Sequence, residues 1–147
     1  MNTLSWWNLM SDKENFDWYE YYKLASSYSN EENNAKLRTG IGRFYYSSFL
    51  ESRDYILKNH MFLDRISKNI MQSTSGRVHR ETRLTFNNHP LLNQTNIGAK
   101  IAKRLNVLRK YRNMVDYDSK NPKDLKHAYI RCQLKAKRIF ELLQELN

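Results

Sequence analysis

The stretch that decides how this chain folds is LNVLRKYRNMVDYD, residues Leu105–Asp118. Leu105, Leu108, Arg112 and Val115 recur three or four residues apart, and on an α-helix such residues share one face. The spacing predicts a helix whose leucines turn inward, with Arg112 on the same side. A guanidinium cannot enter an apolar seam without partners for its charge and its donors. Asn113, Asp116, Tyr117 and Asp118 follow within two turns and offer them. The plain structural reading is an Arg112–Asp116 or Arg112–Asp118 pair that neutralises the arginine at a helix end. The functional reading is an arginine that meets an anion.

The same stripe continues back through Ile101 and Ile97, so the helix is expected over about 96–115, with Thr95 or Asn96 as its cap. Beyond Asp116-Tyr117-Asp118, a last helix is expected over about 122–146. Pro122 suits its first position, Asn121 its cap and Asp124 its first turn. Leu125, Tyr129, Cys132, Ala136, Ile139 and Leu143 form its apolar stripe, which reads Cys132 as a small core residue rather than a nucleophile. Upstream, a helix over about 32–59 is lined by Leu37, Ile41, Phe44, Tyr45, Ser48, Ser52, Tyr55 and Ile56. Its small residues Gly40, Gly42, Ser47 and Ser48 allow close packing, which would justify the roughly 1 kcal/mol that a helical glycine costs against alanine.

The first segment is rich in aromatics, from Trp6 to Tyr28. Ser11 and Glu14 suggest a capping box for a helix over about 12–28, with Trp18, Tyr21, Tyr22 and Ala25 facing inward. Residues 60–94 read as a long irregular connection holding short helices at about 61–71 and 77–87, broken at Ser73–Gly76 and Asn87–Pro90. The fold expected is therefore all-α, an up-and-down bundle of four to five helices forming one domain over residues 1–147.

Charge is concentrated. The chain carries a formal +10, and residues 65–112 hold 11 Lys or Arg against the single acid Glu81, so the remainder of the chain is neutral in sum. A local positive field of this kind attracts phosphate backbones; the alternative is an ordinary solvated basic face. Arg77, Arg80, Arg83, Lys103, Arg104 and Arg109 are the candidate RNA-binding residues. No apolar run approaches the ~18 residues needed to span a bilayer. The start lacks the basic region and cleavage site of a signal peptide. One cysteine fits a reducing cytosol, so a cytoplasmic location is expected. The four histidines show no metal-ligand spacing and no cysteine pair exists, so no metal and no cofactor are expected.

Two motifs carry a family resemblance. The pattern L-x-x-L-R-x-x-R-N-x-V-D-Y-D at Leu105–Asp118 resembles the third-helix motif of HEPN domains. Arg43-Phe44-Tyr45-Tyr46-Ser47-Ser48-Phe49 resembles the R-x-Y-Y-x-x-F second-helix motif of the same superfamily. The resemblance covers roughly Leu37–Asp118. It implies a helical bundle, a homodimer through the second and third helices, and RNA as the partner. It further implies a metal-independent endoribonuclease effector of phage defence, CRISPR or toxin–antitoxin systems, with an antitoxin or effector-complex protein as a further partner. The alternative within the family is a non-catalytic module that binds RNA or a partner protein.

The family's active motif is an arginine, often a polar residue after it, and a histidine four to six residues further on. Arg112 and Asn113 match the first two. Tyr117, Asp118 and Ser119 stand at the histidine's positions, and the chain departs from the pattern there. The candidate catalytic set is accordingly Arg112, Asn113, Tyr117 and Asp118. Arginine stabilises phosphorane charge well. Proton transfer is ordinarily a histidine's work, and a tyrosine with a pKa of about 10 is a poor base. His79, among the arginines of the connection, is a second candidate for that role; its plainer reading is a surface or phosphate-contacting residue. Arg43 is read as bracing the bundle against an acid. A DNA-binding helix-turn-helix over residues 77–112 is the distant alternative.

Overall fold

The structure is a computed structural model and describes residues 15–147. Six α-helices follow in order: α1 Tyr19–Ser26, α2 Asn34–Lys58, α3 Arg65–Met71, α4 Val78–Asn88, α5 Ile97–Tyr117 and α6 Leu125–Glu145. A 3-10 turn, Pro90–Leu92, precedes α5, and no strand occurs among the described residues. The all-α expectation holds, and the described residues hold the four main helices expected together with the two short ones expected within 60–94. None of them is long and apolar enough to cross a membrane.

Helix α2 is the centre of the packing, in contact with α1, α4, α5 and α6. Its inward face is the one the sequence indicates: Leu37, Ile41, Phe44, Tyr45, Ser48, Ser52 and Ile56 are buried, and Tyr55 is half-buried. The buried hydroxyls are satisfied within the helix, Ser48 Oγ donating to Phe44 O (2.8 Å) and Ser52 Oγ to Ser48 O (2.7 Å). Gly40 lets α6 approach: a Cβ there would lie 2.7 Å from Tyr129 Cε2. Tyr129 in turn packs its ring 5.2 Å from that of Phe44 and donates its hydroxyl to Ala25 O, tying α1, α2 and α6 together.

Three helix starts differ in detail from expectation. Helix α1 begins at Tyr19, whose N–H donates to Asp17 Oδ1 (3.0 Å), while the Trp18 indole N–H donates to Asp54 Oδ2 of α2 at 2.8 Å. The Ser11–Glu14 capping box lies outside the described residues. Helix α6 begins at Leu125, since Asp124 is the cap, accepting from His127 N (3.0 Å), while Asn121 accepts from Arg38 Nε (2.8 Å). Asn96 does precede α5, but in the left-handed region (φ 61°) and without a side-chain cap bond; Asn93 Oδ1 takes the orphan Ala99 N–H instead (2.8 Å).

Residues 60–94 hold the two short helices expected there, α3 and α4, but as part of the core where an irregular connection was expected. They form an ordered part of the bundle, with Met71, Phe86 and Leu92 fully buried. Asp64 caps α3 by accepting from Ser67 N at 2.7 Å. Arg53 of α2 closes the other end, donating to Met71 O (3.0 Å) and Ser73 O (3.2 Å). Arg38 does the same for α5, donating to Val115 O (2.7 Å), Asp118 O and Lys120 O (both 2.9 Å). Helix C-termini leave carbonyls without partners and carry partial negative charge, so a guanidinium meets both needs.

Gly98 sets how closely α5 meets the end of α4. A Cβ there would lie 2.9 Å from Leu92 O and closer still to Phe86 O. Both obstacles are backbone and cannot swing away. Gly98→Ala is therefore expected to destabilise by roughly 1–3 kcal/mol, as overpacking does, read as a lowered midpoint in denaturant unfolding.

Candidate nucleic-acid interface

Arg112 emerges from α5 beside α2, its side chain only 15% exposed. Its guanidinium is held on three sides. Nη2 donates to the Tyr46 hydroxyl, Nη1 donates to Asn113 Oδ1 (2.9 Å), and Nε lies 3.1 Å from Asp116 Oδ2. The Nε contact is ionic only, because the N–H is not aimed along it and makes no hydrogen bond. Of the two acids open as partners, Asp116 is the one that pairs. Asp118 faces away: its carboxylate accepts from Lys120 N (3.0 Å) and its carbonyl from Arg38. Tyr117 is 77% exposed, with its ring 5.6 Å from the Arg112 guanidinium. Arg112, Asn113 and Tyr117 are thus brought together, and Asp118 is not.

Tyr46, which sequence reasoning did not single out as a site residue, is the hub. Arg43 and Arg112 each lie 5.1 Å from its ring centroid, within cation–π range. Arg43 also sits 5.0 Å from the Tyr21 ring. It therefore braces the bundle through aromatic faces, where an acid was expected. The signal for Tyr46 was present in the R-x-Y-Y-x-x-F motif, but its direction is set by the packing of α2 on α5.

His79 of α4 reaches the same place. Its ring stacks on Phe49 at 4.2 Å and 12°, and meets Tyr46 edge-on at 6.2 Å. Nδ1 is hydrogen-bonded to the Tyr45 hydroxyl. Burial pushes the Tyr45 phenol far up, so it stays protonated. With the imidazole hydrogen on Nε2 the hydroxyl donates to Nδ1, and with it on Nδ1 the hydroxyl accepts. Burial, and then the charges of Arg109, Arg112, Arg83 and Arg53, lower the His79 pKa to about 4. The imidazole is neutral at pH 7. It lines a surface cleft of about 200 Å³ together with Tyr46, Arg53 and Thr74.

The predicted cationic residues divide into groups. Arg80, Arg83 and Lys103 line a second cleft of about 310 Å³ between α4 and α5, with Asn87 and Asn106 and no acid. Burial, and then the like charge of Arg109, lower the Arg83 pKa. Arg109 is half-buried, its Nε is buried without a hydrogen-bond partner, and no carboxylate among the described residues pairs with it. Arg104 turns back on its own helix, donating to Lys100 O (3.1 Å). Arg77 is exposed at the start of α4 and lines neither cleft.

The remaining groups are quieter. Burial raises the Cys132 thiol to about 12, which makes it unreactive. No cluster of three metal-ligating side chains occurs among the described residues. A scan against protein-family models, and searches of curated proteins and of solved structures, find no match to this chain.

The depressed His79 pKa has a consequence for stability. The unfolded chain binds that proton at the ordinary value near 6.5, whereas the folded chain resists it until about 4. Stability is therefore lost as pH falls through that window. Burial raises Glu51 and Asp54, which act in the opposite sense, but both are present in a His79→Gln variant. Denaturant unfolding between about pH 7 and pH 4 is expected to show a smaller loss in the variant than in the wild type.

Proposed function

We propose that this chain is a HEPN-type RNA-binding protein that acts as a metal-independent endoribonuclease, an effector of phage-defence, CRISPR or toxin–antitoxin type. The observation that carries this reading is the bond between its two motifs: Arg112 of one donates to Tyr46 of the other, 66 positions apart. Around that bond lies a cationic surface almost free of acids, with Arg83 and Arg109 half-buried beside it. RNA would lie along the cleft of Arg80, Arg83 and Lys103 with its scissile phosphate at Arg112. There a planar guanidinium matches phosphate oxygens and spreads the phosphorane charge. Asn113 orients that fork, and Tyr117 covers it. In a homodimer two such sites would face each other across the twofold axis as one basic cleft. An antitoxin or effector-complex protein is the further partner this reading implies.

A second reading, the non-catalytic module, is favoured by a specific observation. Each nitrogen of Arg112 has a neighbour of complementary character: Nη2 donates to Tyr46, Nη1 donates to Asn113, and Nε pairs ionically with Asp116. An arginine so occupied suits a structural role at the end of α5, and α5 carries no histidine after it.

The test uses purified wild type and Arg112→Ala with labelled single-stranded and structured RNA in EDTA. Binding that weakens steeply with salt is expected for both readings. Cleavage by the wild type and not by Arg112→Ala supports the ribonuclease. Binding without cleavage at any pH supports the module as an RNA binder, and absence of RNA binding sinks the ribonuclease and leaves only the module that binds a partner protein.

A further inference from the structure

The cleft between α4 and α5, about 310 Å³, combines three kinds of surface. Arg80, Arg83 and Lys103 supply charge. Leu84, half-buried, and Ala102, buried, supply an apolar lining. Asn87 and Asn106, one from each helix, supply amides. On both helices these residues recur at spacings of three and four, so each helix turns one continuous face to the cleft. None of the three cations pairs with a carboxylate among the described residues. The two asparagines are exposed and make no side-chain hydrogen bond among the described residues. Other asparagines at this corner are spent on backbone. Asn88 donates to Leu84 O (2.8 Å), and Asn93 donates to Phe86 O (2.6 Å) and accepts from Ala99 N (2.8 Å). Charge without counter-charge, amides without partners and an apolar lining therefore meet in one cavity. A phosphate alone uses only the first of these; a nucleotide uses all three.

We propose that this cleft holds one unpaired adenine nucleotide of an RNA strand. Its phosphate lies on Arg80, Arg83 and Lys103, its base lies against Leu84 and Ala102, and Asn87 and Asn106 read the base edges. The inference rests on the RNA-binding reading and adds to it the form of the RNA and the base. Size and shape argue for a single residue of an open strand. The volume stands at the lower end of small-ligand sites, which run roughly from 300 to 1,000 Å³. A duplex keeps its ring faces stacked and its edges paired, so it meets only the cations. An unpaired residue brings a free face and free edges. The amides argue for adenine. A side-chain amide sets a donor beside an acceptor. Adenine answers with N6–H and N7 on one edge, and with N6–H and N1 on the other, so each edge matches one asparagine. Guanine offers two acceptors, O6 and N7, on the first of those edges, and a pyrimidine has no such edge. The cleft therefore sets which residue of the strand is held, apart from any chemistry at Arg112, which does not line it.

The test measures fluorescence anisotropy of labelled 2′-fluoro oligonucleotides, which have no 2′-hydroxyl to attack their own phosphates and so stay intact. Three probes are compared at one salt concentration: a short oligouridylate, the same strand with one central adenosine, and that second strand annealed to its complement. The wild type is expected to bind the adenosine strand about tenfold tighter than the oligouridylate, the worth of one well-made base contact. Asn87→Ala and Asn106→Ala each lose that preference, keep the oligouridylate affinity within about twofold, and bind the duplex as the wild type does. Both positions are exposed and helical, so alanine leaves the fold in place. Lys103→Met weakens all three probes alike, because phosphate contacts carry no sequence information. Equal binding of the two single strands by the wild type, or a preference that survives in either asparagine variant, overturns the proposal and spares the RNA-binding reading, since both strands bind. Duplex binding that falls in the asparagine variants overturns the unpaired form. If none of the probes and no structured RNA binds, the RNA-binding reading fails and takes this inference with it.

Discussion

Two arginines of α2 hold the ends of two other helices, and the geometry of the site depends on them. Arg38 gathers the last carbonyls of α5, and Arg53 gathers those of α3. A helix C-terminus has carbonyls with no partner inside the helix, and burying them unsatisfied costs as much as losing hydrogen bonds. By supplying charged donors from the central helix, α2 fixes where α5 stops and where the turn after α3 runs. Arg112 lies one turn before the end that Arg38 holds. The cleft at His79 is bounded by the turn that Arg53 holds. Both halves of the candidate site are therefore registered to one helix.

Electrostatics then divides the arginines by purpose. Arg38 and Arg53 spend their donors on carbonyls, Arg43 rests on aromatic rings, and Arg112 is enclosed by an amide, a phenol and a carboxylate. Arg83 and Arg109 are the pair left with charge to spare. Burial, and then the field of Arg109, Arg112, Arg83 and Arg53, holds His79 neutral, although an imidazole ordinarily titrates near neutrality.

Much of the fold was legible. The stripe from Ile101 through Leu108 to Val115 is buried, as are Leu125, Tyr129, Cys132, Ala136, Ile139 and Leu143 on α6. These positions follow from a period of 3.6 residues, which is a property of the backbone and shows in any amphipathic helix. Boundaries were less legible, because caps compete: Asn121 could have capped α6 but is taken by Arg38, and Asp124 serves instead. In the 60–94 stretch the two short helices were legible, at about 61–71 and 77–87, but their packing into the core was not. Its helices are short, and Val78, Thr82, Thr85 and Phe86 bury a face partly made of threonines, which carries a weak periodic signal.

The sequence by itself determined an all-helical chain, the burial of its leucine and aromatic stripes, the confinement of excess charge to residues 65–112, and an arginine forced into partnership at the end of α5. Each of these is a local or additive property, set by spacing and by counting charges. Only the tertiary structure decided that Asp116 and not Asp118 pairs with Arg112, that Tyr46 is the residue both arginines meet, and that His79 stands in their field while Arg104 and Arg77 lie outside both clefts. Those outcomes depend on how α2, α4 and α5 are packed across separations of 30 to 70 residues. Contacts of that kind arise from the whole core closing at once, and no short window of sequence contains them.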